Sequence, residues 1–456
     1  MIVVGAYQNK KVGVFGLARS GLAACRSLAA GGAEVLAWDD NRVQRDQGPT
    51  APIDLYGADF LKLSALVVSP GVPLTYPEPH ALVLKARTDN VPVIGDIELF
   101  AFARADLPKH QVVGVTGTNG KSTTTALLTH VLKFNNYLAL AAGNIGIPVL
   151  DIDPLEEGGI YVFELSSFQL DQTNSLQPEV AILLNISPDH LDRHGTMDEY
   201  VSAKRQIFEM QSEGGLAIIG VDDTYGREMV ATLAQKVIPI SCEKAVENGV
   251  YVLGGVLYDA TEGPAKKMGP LGNNRALRGT HNGQNAAAVY AAAKTLGVRK
   301  ENIIPAFDSF QGLPHRLEIV AEDKGIVFIN DSKASNTGSA LRSLEAFEDV
   351  YWIVGGLFKE DTLEMFEPVL GHVKKAFLIG EDDTMFRDFL TGKVTYLRCH
   401  TLDIAVKNAA KEAKQNGGGV VLLAPACASF DQFKNFEHRG ETFRETALEI
   451  IKGENA

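Results

Sequence analysis

The stretch "VTGTNGKSTTTALLTHVL", residues 115–132, decides how the rest of the chain is read. An apolar β-branched run, "VVGVT", delivers the chain to Gly117, Thr118, Asn119 and Gly120, residue types that suit a turn, and from Lys121 onward the pattern becomes helical. Strand, glycine turn and helix in that order bring backbone N–H groups and the positive end of a helix dipole to one place, which suits a phosphate. Lys121 can reach the outer phosphates of a nucleotide, and Ser122 or Thr123 can offer a hydroxyl to Mg²⁺. The usual P-loop spacing needs glycine five residues before Gly120, where Val115 stands, so this loop is shorter or differently wound than in GTPases and motor ATPases. Taken alone, the residues also permit a Gly-Asn turn, a capped helix and a solvated lysine.

Outward from this loop, short apolar runs recur, each followed by Gly, Pro, Ser or Asn and often by a helical pattern. They are "KVGVF", "EVLAW", "ALVVS", "YVFEL", "VAILLN", "LAIIG", "GIVFIN", "YWIVGG", "KAFLIG" and "GVVLLAP". This is the signature of α/β folds, in which ligands gather at the carboxyl ends of parallel strands. Breaks at "ARADLPKHQ" and "DSFQGLPHRLE" predict three domains, 1–106, 107–312 and 313–456. Hairpin-rich β structure is expected late in the middle one, from Cys242 onward. The chain has 456 residues, of which 45% are hydrophobic, enough for several cores. Its formal charge of −13 leaves no basic field for nucleic acid or an anionic membrane, so small molecules are the expected partners. Cys25, Cys242, Cys399 and Cys427 lie far apart, without zinc or disulfide spacing, and no apolar run reaches membrane-spanning length. A cytoplasmic, monomeric enzyme is the expectation.

The spacing "TGTNGKST" resembles the ATP-binding loop of the Mur ligase and folylpolyglutamate synthetase superfamily. "AGNIG" (142–146), "ELSSFQL" (164–170), "SPDHLDRHG" (187–195), "AKRQIF" (203–208), "HNGQN" (281–285), "GLPHR" (312–316), "NDSKASN" (330–336) and "APACASFDQFKNFEHRG" (424–440) follow in that family's order. The last of these resembles the D-glutamate-adding branch, and the extra glycine that folylpolyglutamate synthetases carry after the loop lysine is absent. The resemblance implies a Rossmann-like N-terminal domain that binds a UDP-linked substrate, a central P-loop-type ATPase domain and a Rossmann-like C-terminal domain. It further implies ATP-dependent joining of D-glutamate to UDP-N-acetylmuramoyl-L-alanine through an acyl phosphate, in peptidoglycan precursor synthesis.

Glu164 ends a strongly apolar strand, where a carboxylate meets a metal or a salt bridge, and His190 could equally be a structural histidine. Lys204 sits in a helical stretch where a lone lysine is ordinarily solvated. The resemblance makes Glu164 and His190 ligands of Mg²⁺, two ions in all, and makes Lys204 a carbamate derived from CO₂. It assigns Asn282 and Asn285 to adenine, with helix capping by Asn282 as the alternative. Arg316 is assigned to the ATP phosphates, Asp331 to ribose and Lys333 to the transferring phosphoryl group, where surface charges are otherwise the default. Arg19, Ser20, Asp40, Gly71, Asn144 and Ser166 are expected to hold the UDP substrate, although Asp40-Asn41 offer no cation there. Ser335, Lys359, Ser429 and Phe436 are expected around D-glutamate; Phe358 stands where relatives often have an acid, and Ser335 where threonine is common.

Overall fold

A computed structural model describes residues 1–46, 48, 52–271, 274, 277, 279–358 and 362–454. These divide into two compact units, Met1–Asn273 with Thr280–Ser309, and Asn274–Gly279 with Phe310–Ala456.

The first unit begins with β1 (Lys11–Phe15), β2 (Glu34–Trp38), β3 (Leu63–Val68) and β4 (Val93–Ile94). They form a parallel sheet in the order β2-β1-β3-β4. The helix Asp96–Ala103 leads away from it and buries Phe100 against Tyr161 and Phe163, with ring centroids 5.4 and 4.8 Å apart. Each such aromatic contributes about 1.5–3 kcal/mol through its apolar area.

The second sheet comprises β5 (His110–Thr116), β6 (Ala139–Gly143), β7 (Gly159–Glu164), β8 (Val180–Leu183), β9 (Leu216–Gly220), β10 (Lys236–Ser241), β11 (Val250–Leu253), β12 (Val256–Asp259) and β13 (Lys266–Pro270). Its order is β13-β12-β11-β10-β9-β8-β5-β7-β6. The chain leaves β5 towards the β6 edge, returns beside β5 as β7, then crosses to its other side as β8. That reversal makes the carboxyl end of β5 a topological switch point, where crossover loops part and a ligand finds room. The expected hairpins, β11 to β13, are antiparallel and extend this same sheet at its far edge.

The second unit holds β14 (Glu318–Asp323), β15 (Ile326–Asn330), β16 (Val350–Gly355), β17 (Val373–Ile379), β18 (Tyr396–His400) and β19 (Gly419–Leu423). The order is β14-β15-β19-β16-β17-β18, parallel except for β14. Here β19 lies between β15 and β16, so the loops after these three strands share one edge.

Candidate active site

The loop after β5 is held open by glycine. Gly117 and Gly120 have φ of +151° and +84°, a region closed to most side chains, and a Cβ on Gly120 would lie 2.3 Å from Asn285 Oδ1. The helix Lys121–Phe134 starts directly after Gly120. Asn185, just past β8, takes two loop amides: its carbonyl accepts from Thr118 N at 2.8 Å and its Oδ1 from Asn119 N at 2.9 Å. With the Thr118 and Asn119 amides taken by Asn185, the amides from Gly120 into the first helical turn are those left for an anion. Thr118 Oγ1 lies 3.1 Å from the Tyr200 hydroxyl and accepts from Ser187 N at 3.0 Å. Lys121 Nζ donates to the carbonyls of Gly117 and Thr118, both at 2.9 Å, and Ser122 is buried at the head of the helix.

Lys204 converges on the same place. Its Nζ donates to Gly117 O at 2.9 Å and lies 4.5 Å from the Tyr200 ring centroid, and the residue is 1% exposed. Burial, with the Lys121 charge nearby, holds its amine well below the ordinary lysine range, against a smaller opposing pull from Asp189. A solvated lysine is therefore not what the fold builds here. The helix Met197–Glu209 buries Tyr200, Ala203, Lys204, Ile207 and Phe208, and Lys204 occupies a position on that apolar stripe.

Glu164 closes β7, paired in register with Val115 of β5. It is 2% exposed; Oε1 accepts from Asn144 Nδ2 at 2.8 Å, and Oε2 is buried without a partner. An orphaned carboxylate oxygen is a donor that a hard cation such as Mg²⁺ would take up. His190 is exposed, with φ of +53°, at the start of the short helix Leu191–His194; its Nε2 is 3.5 Å from Asp189 and its ring packs 5.0 Å from that of Phe168. Among the described residues no three His, Cys, Asp or Glu side chains form a metal cage.

A cavity of about 230 Å³ is lined by Arg19, Ser20, Asn144, Asp96 and Gln169 among others. Arg19 donates to the Gly146 carbonyl, and Ser166 caps the helix Ser167–Leu170 by accepting from Gln169 N at 3.2 Å. Gly71 is exposed and adjoins Pro70 on the cavity wall. Asp40 accepts from Trp38 Nε1 at 3.0 Å and from the Tyr56 hydroxyl at 2.9 Å, while Arg45 stacks 4.3 Å from the Trp38 ring. Asp96 was not singled out from the sequence. Burial raises its carboxyl to about 6, and the Gln169 side chain bonds to it.

In the second unit, Arg316 lies between His315 and Leu317, with φ of +62° and +44°. Asp331, at the end of β15, accepts from the Ser343 hydroxyl and from Leu317 N at 3.3 Å; burial raises it to about 6, against the nearby Arg316 charge. Lys333 packs 3.9 Å from the Phe436 ring centroid, Ser429 is buried, and Ser335 is exposed. Arg439, missed from sequence, is 1% exposed and donates to Ser332 Oγ, Ser332 O and Cys427 O, tying together the loops after β15 and β19. Lys359 lies outside the described residues. Asn282 does not cap its helix, Thr280–Thr295, which starts two residues earlier; its Oδ1 accepts from Asn285 Nδ2 at 3.0 Å.

Comparison with known proteins follows the same lines. The Mur ligase middle domain matches residues 115–293, and the Mur ligase glutamate ligase domain residues 315–427. The UDP-N-acetylmuramoylalanine–D-glutamate ligase of Phenylobacterium zucineum is 45% identical, over 100% of this chain and 99% of its own. That of Paramagnetospirillum magneticum is 47% identical, over 99% of each. Among solved structures, UDP-N-acetylmuramate-alanine ligase MurC of Thermotoga maritima is similar with a TM-score of 0.57 at 18% identity, over 96% of this chain and 99% of that one. MurF ligase from the same organism, in complex with ADP, gives 0.56 at 20% identity, over 85% and 90%. The phosphate loop at the β5 switch point and full-length identity to these relatives together establish that the chain belongs to the Mur ligase family, among its UDP-N-acetylmuramoylalanine–D-glutamate ligases.

Proposed function

We propose that the chain joins D-glutamate to UDP-N-acetylmuramoyl-L-alanine at the cost of ATP, and that the residues around Gly117 carry the phosphoryl transfer. The supporting observation is the convergence of Lys121 and Lys204 on the Gly117 carbonyl, with the strand of Glu164 in register beside it.

A carboxylate does not accept an amine at neutral pH, because its carbon is weakly electrophilic and its oxygen leaves poorly. The substrate's alanyl carboxylate attacks the γ-phosphorus of ATP, the bond to ADP breaks, and an acyl phosphate results. The D-glutamate amine adds to the acyl carbon, loses a proton, and phosphate departs to leave the amide. Phosphoryl transfer of this kind depends on alignment and charge neutralisation more than on covalent help from protein. Lys121 and the amides from Gly120 onward are assigned to the phosphates, and Asn282 and Asn285 to adenine. Ser122, Glu164, His190 and Lys204 would hold magnesium, which supplies neutralisation of the phosphate charge when bound. Lys204 fits its part as a carbamate: a buried amine kept neutral has the lone pair that adds to CO₂, and loss of a proton then leaves an anion.

Arg19, Ser20, Asp40, Gly71, Asn144 and Ser166 are assigned to the UDP substrate. Asn144 is thereby shared, since it also holds Glu164. Arg316 is assigned to the ATP phosphates, Asp331 to ribose, Lys333 to the transferring phosphoryl group, and Ser335, Lys359, Ser429 and Phe436 to D-glutamate. The functional division is 1–106 for UDP, 107–312 for ATP and 313–456 for the amino acid. A cytoplasmic monomer is part of the proposal; no helix among the described residues is long and apolar enough to cross a membrane.

The test is phosphate release. It should require Mg²⁺, ATP, UDP-N-acetylmuramoyl-L-alanine and D-glutamate together. Equal turnover with L-alanine or meso-diaminopimelate in place of D-glutamate would overturn the assignment.

A further inference from the structure

Gln284 is assigned to no substrate, yet it is 5% exposed and lies in the first turns of the helix that carries Asn282 and Asn285. Its Nε2 donates to Asp222 Oδ2 at 3.1 Å, and its Oε1 accepts from Asn185 Nδ2 at 2.9 Å. We propose that Gln284 is a positioning residue of the ATP site: it fixes the orientation of the Asn185 amide and thereby the winding of the phosphate loop. The inference rests on the ATP-site reading and adds to it a residue outside the loop.

A primary amide can sit either way round, and its partners decide which. Here the decision starts at Asp222. Its Oδ1 accepts from the Ser241 hydroxyl and its Oδ2 from Cys242 N at 2.9 Å, so both carboxylate oxygens act as acceptors. Only the NH₂ end of Gln284 can face such a group. Its carbonyl end then faces Asn185, which must offer its own NH₂, and this leaves Asn185 Oδ1 to accept from Asn119 N at 2.9 Å. One acceptor-only carboxylate therefore sets two amides in series and, through them, the direction of a loop N–H. The space leaves little slack: a Cβ on Gly220 would stand 2.8 Å from Gln284 Nε2 and 1.8 Å from the Leu184 carbonyl. Asn285, one residue on, stands close to the loop, where a Cβ on Gly120 would lie 2.3 Å from its Oδ1.

Without Gln284, the Asn185 NH₂ loses its shorter acceptor bond and keeps only the one to the Asn119 carbonyl at 3.3 Å. A flipped Asn185 would then point NH₂ at the Asn119 N–H, donor against donor, and the loop would lose its fixed form. The consequence is expected in nucleotide binding, since Asn119 belongs to the loop assigned to ATP and not to the residues assigned to the UDP substrate or D-glutamate.

The experiment compares wild type, Gln284→Met and Gln284→Glu by steady-state kinetics. Methionine keeps the length of the side chain and removes both hydrogen bonds. It should raise the KM for ATP about tenfold and change the KM values for the UDP substrate and D-glutamate by less than about twofold, the loss expected for a buried bond to a carboxylate. Glutamate sets a second carboxylate against Asp222, so a shared proton restores the donor as pH falls. For Gln284→Glu the KM for ATP should return towards wild type between about pH 8 and pH 6, while Gln284→Met stays flat. An unchanged KM for ATP in Gln284→Met, or equal rises for all three substrates, would overturn the proposal. Should Gln284→Met fail to fold, the pH profile of Gln284→Glu decides: a flat profile refutes the role. If wild-type turnover itself proved independent of ATP, the ATP-site reading would fall instead, so the two failures are distinguishable.

Discussion

Replacing Glu164 by Gln should make the protein more stable and nearly inactive at once. The side chain is 2% exposed, Oε1 is held by Asn144 at 2.8 Å, and Oε2 is buried with no partner. Glutamine keeps the shape and the Oε1 acceptor, and it removes a buried charge. An unsatisfied buried polar group costs about 1–3 kcal/mol, and a charged one more, so exchanging the charged orphan for a neutral one should return on the order of 1–2 kcal/mol. For a unit of this size that corresponds to a rise in Tm of about 2–4 °C in EDTA. The order should reverse with Mg²⁺ and ADP: wild type gains stability by mass action, while Glu164→Gln, deprived of a cation ligand, gains less. Turnover should fall by about 10²–10³, the range seen when one electrostatic contact to developing charge is removed. Scanning calorimetry in EDTA and in Mg–ADP, with phosphate release on the same samples, measures all three effects. A Tm that drops by several degrees in EDTA, together with near-normal turnover, would mean that Glu164 is a structural acid and not a metal ligand.

Lys204→Ala should abolish turnover, and formate or acetate should restore part of it by filling the space of the carbamate; turnover close to wild type would exclude the role. Asp96, raised by burial to about 6 from 3.8, contributes stability that is complete below pH 3.8 and is lost as pH rises through about 6. Denaturant unfolding should therefore find Asp96→Asn more stable than wild type at pH 8, by up to about 3 kcal/mol, with the gap closing towards pH 5. A gap that does not change with pH would show that the carboxyl ionises alike in folded and unfolded chains. Ser429→Ala should raise the KM for D-glutamate severalfold and leave that for ATP unchanged, and equal shifts would misplace the amino-acid pocket.

Most of the strand framework is legible in the sequence because buried parallel strands are apolar throughout, as in "YVFEL" and "GVVLLAP". The strands that escape notice are those with another signature. β6, "ALAAG", is mostly alanine and glycine and only partly buried; β10 carries Pro239; β14 and β18, at the sheet edges, mix polar and apolar residues. The phosphate loop is plain from its residues, but its winding is not, since Asn185 lies 66 positions from Asn119. For Lys204, expected to be solvated, a contrary sign lies in the sequence: Tyr200, Ala203, Ile207 and Phe208 mark a helical stripe on which position 204 falls. Asp96 and Glu98 give a similar sign, two acids inside the apolar run "GDIELFAFA". Glu98 is docked on Asn174 N and Ser175 N at 2.7 and 3.0 Å. Gln284 and Arg439 have no such sign, because their partners come from elements remote in sequence.

In the proposed reaction the substrate carboxylate itself attacks ATP. UDP-N-acetylmuramoyl-L-alanine labelled with ¹⁸O in both alanyl carboxylate oxygens tests it directly, with mass spectrometry of the phosphate released in the presence of ATP, Mg²⁺ and D-glutamate. One ¹⁸O should appear in each phosphate and the other should remain in the new amide carbonyl. Phosphate without ¹⁸O, with amide product formed, would contradict the acyl-phosphate route.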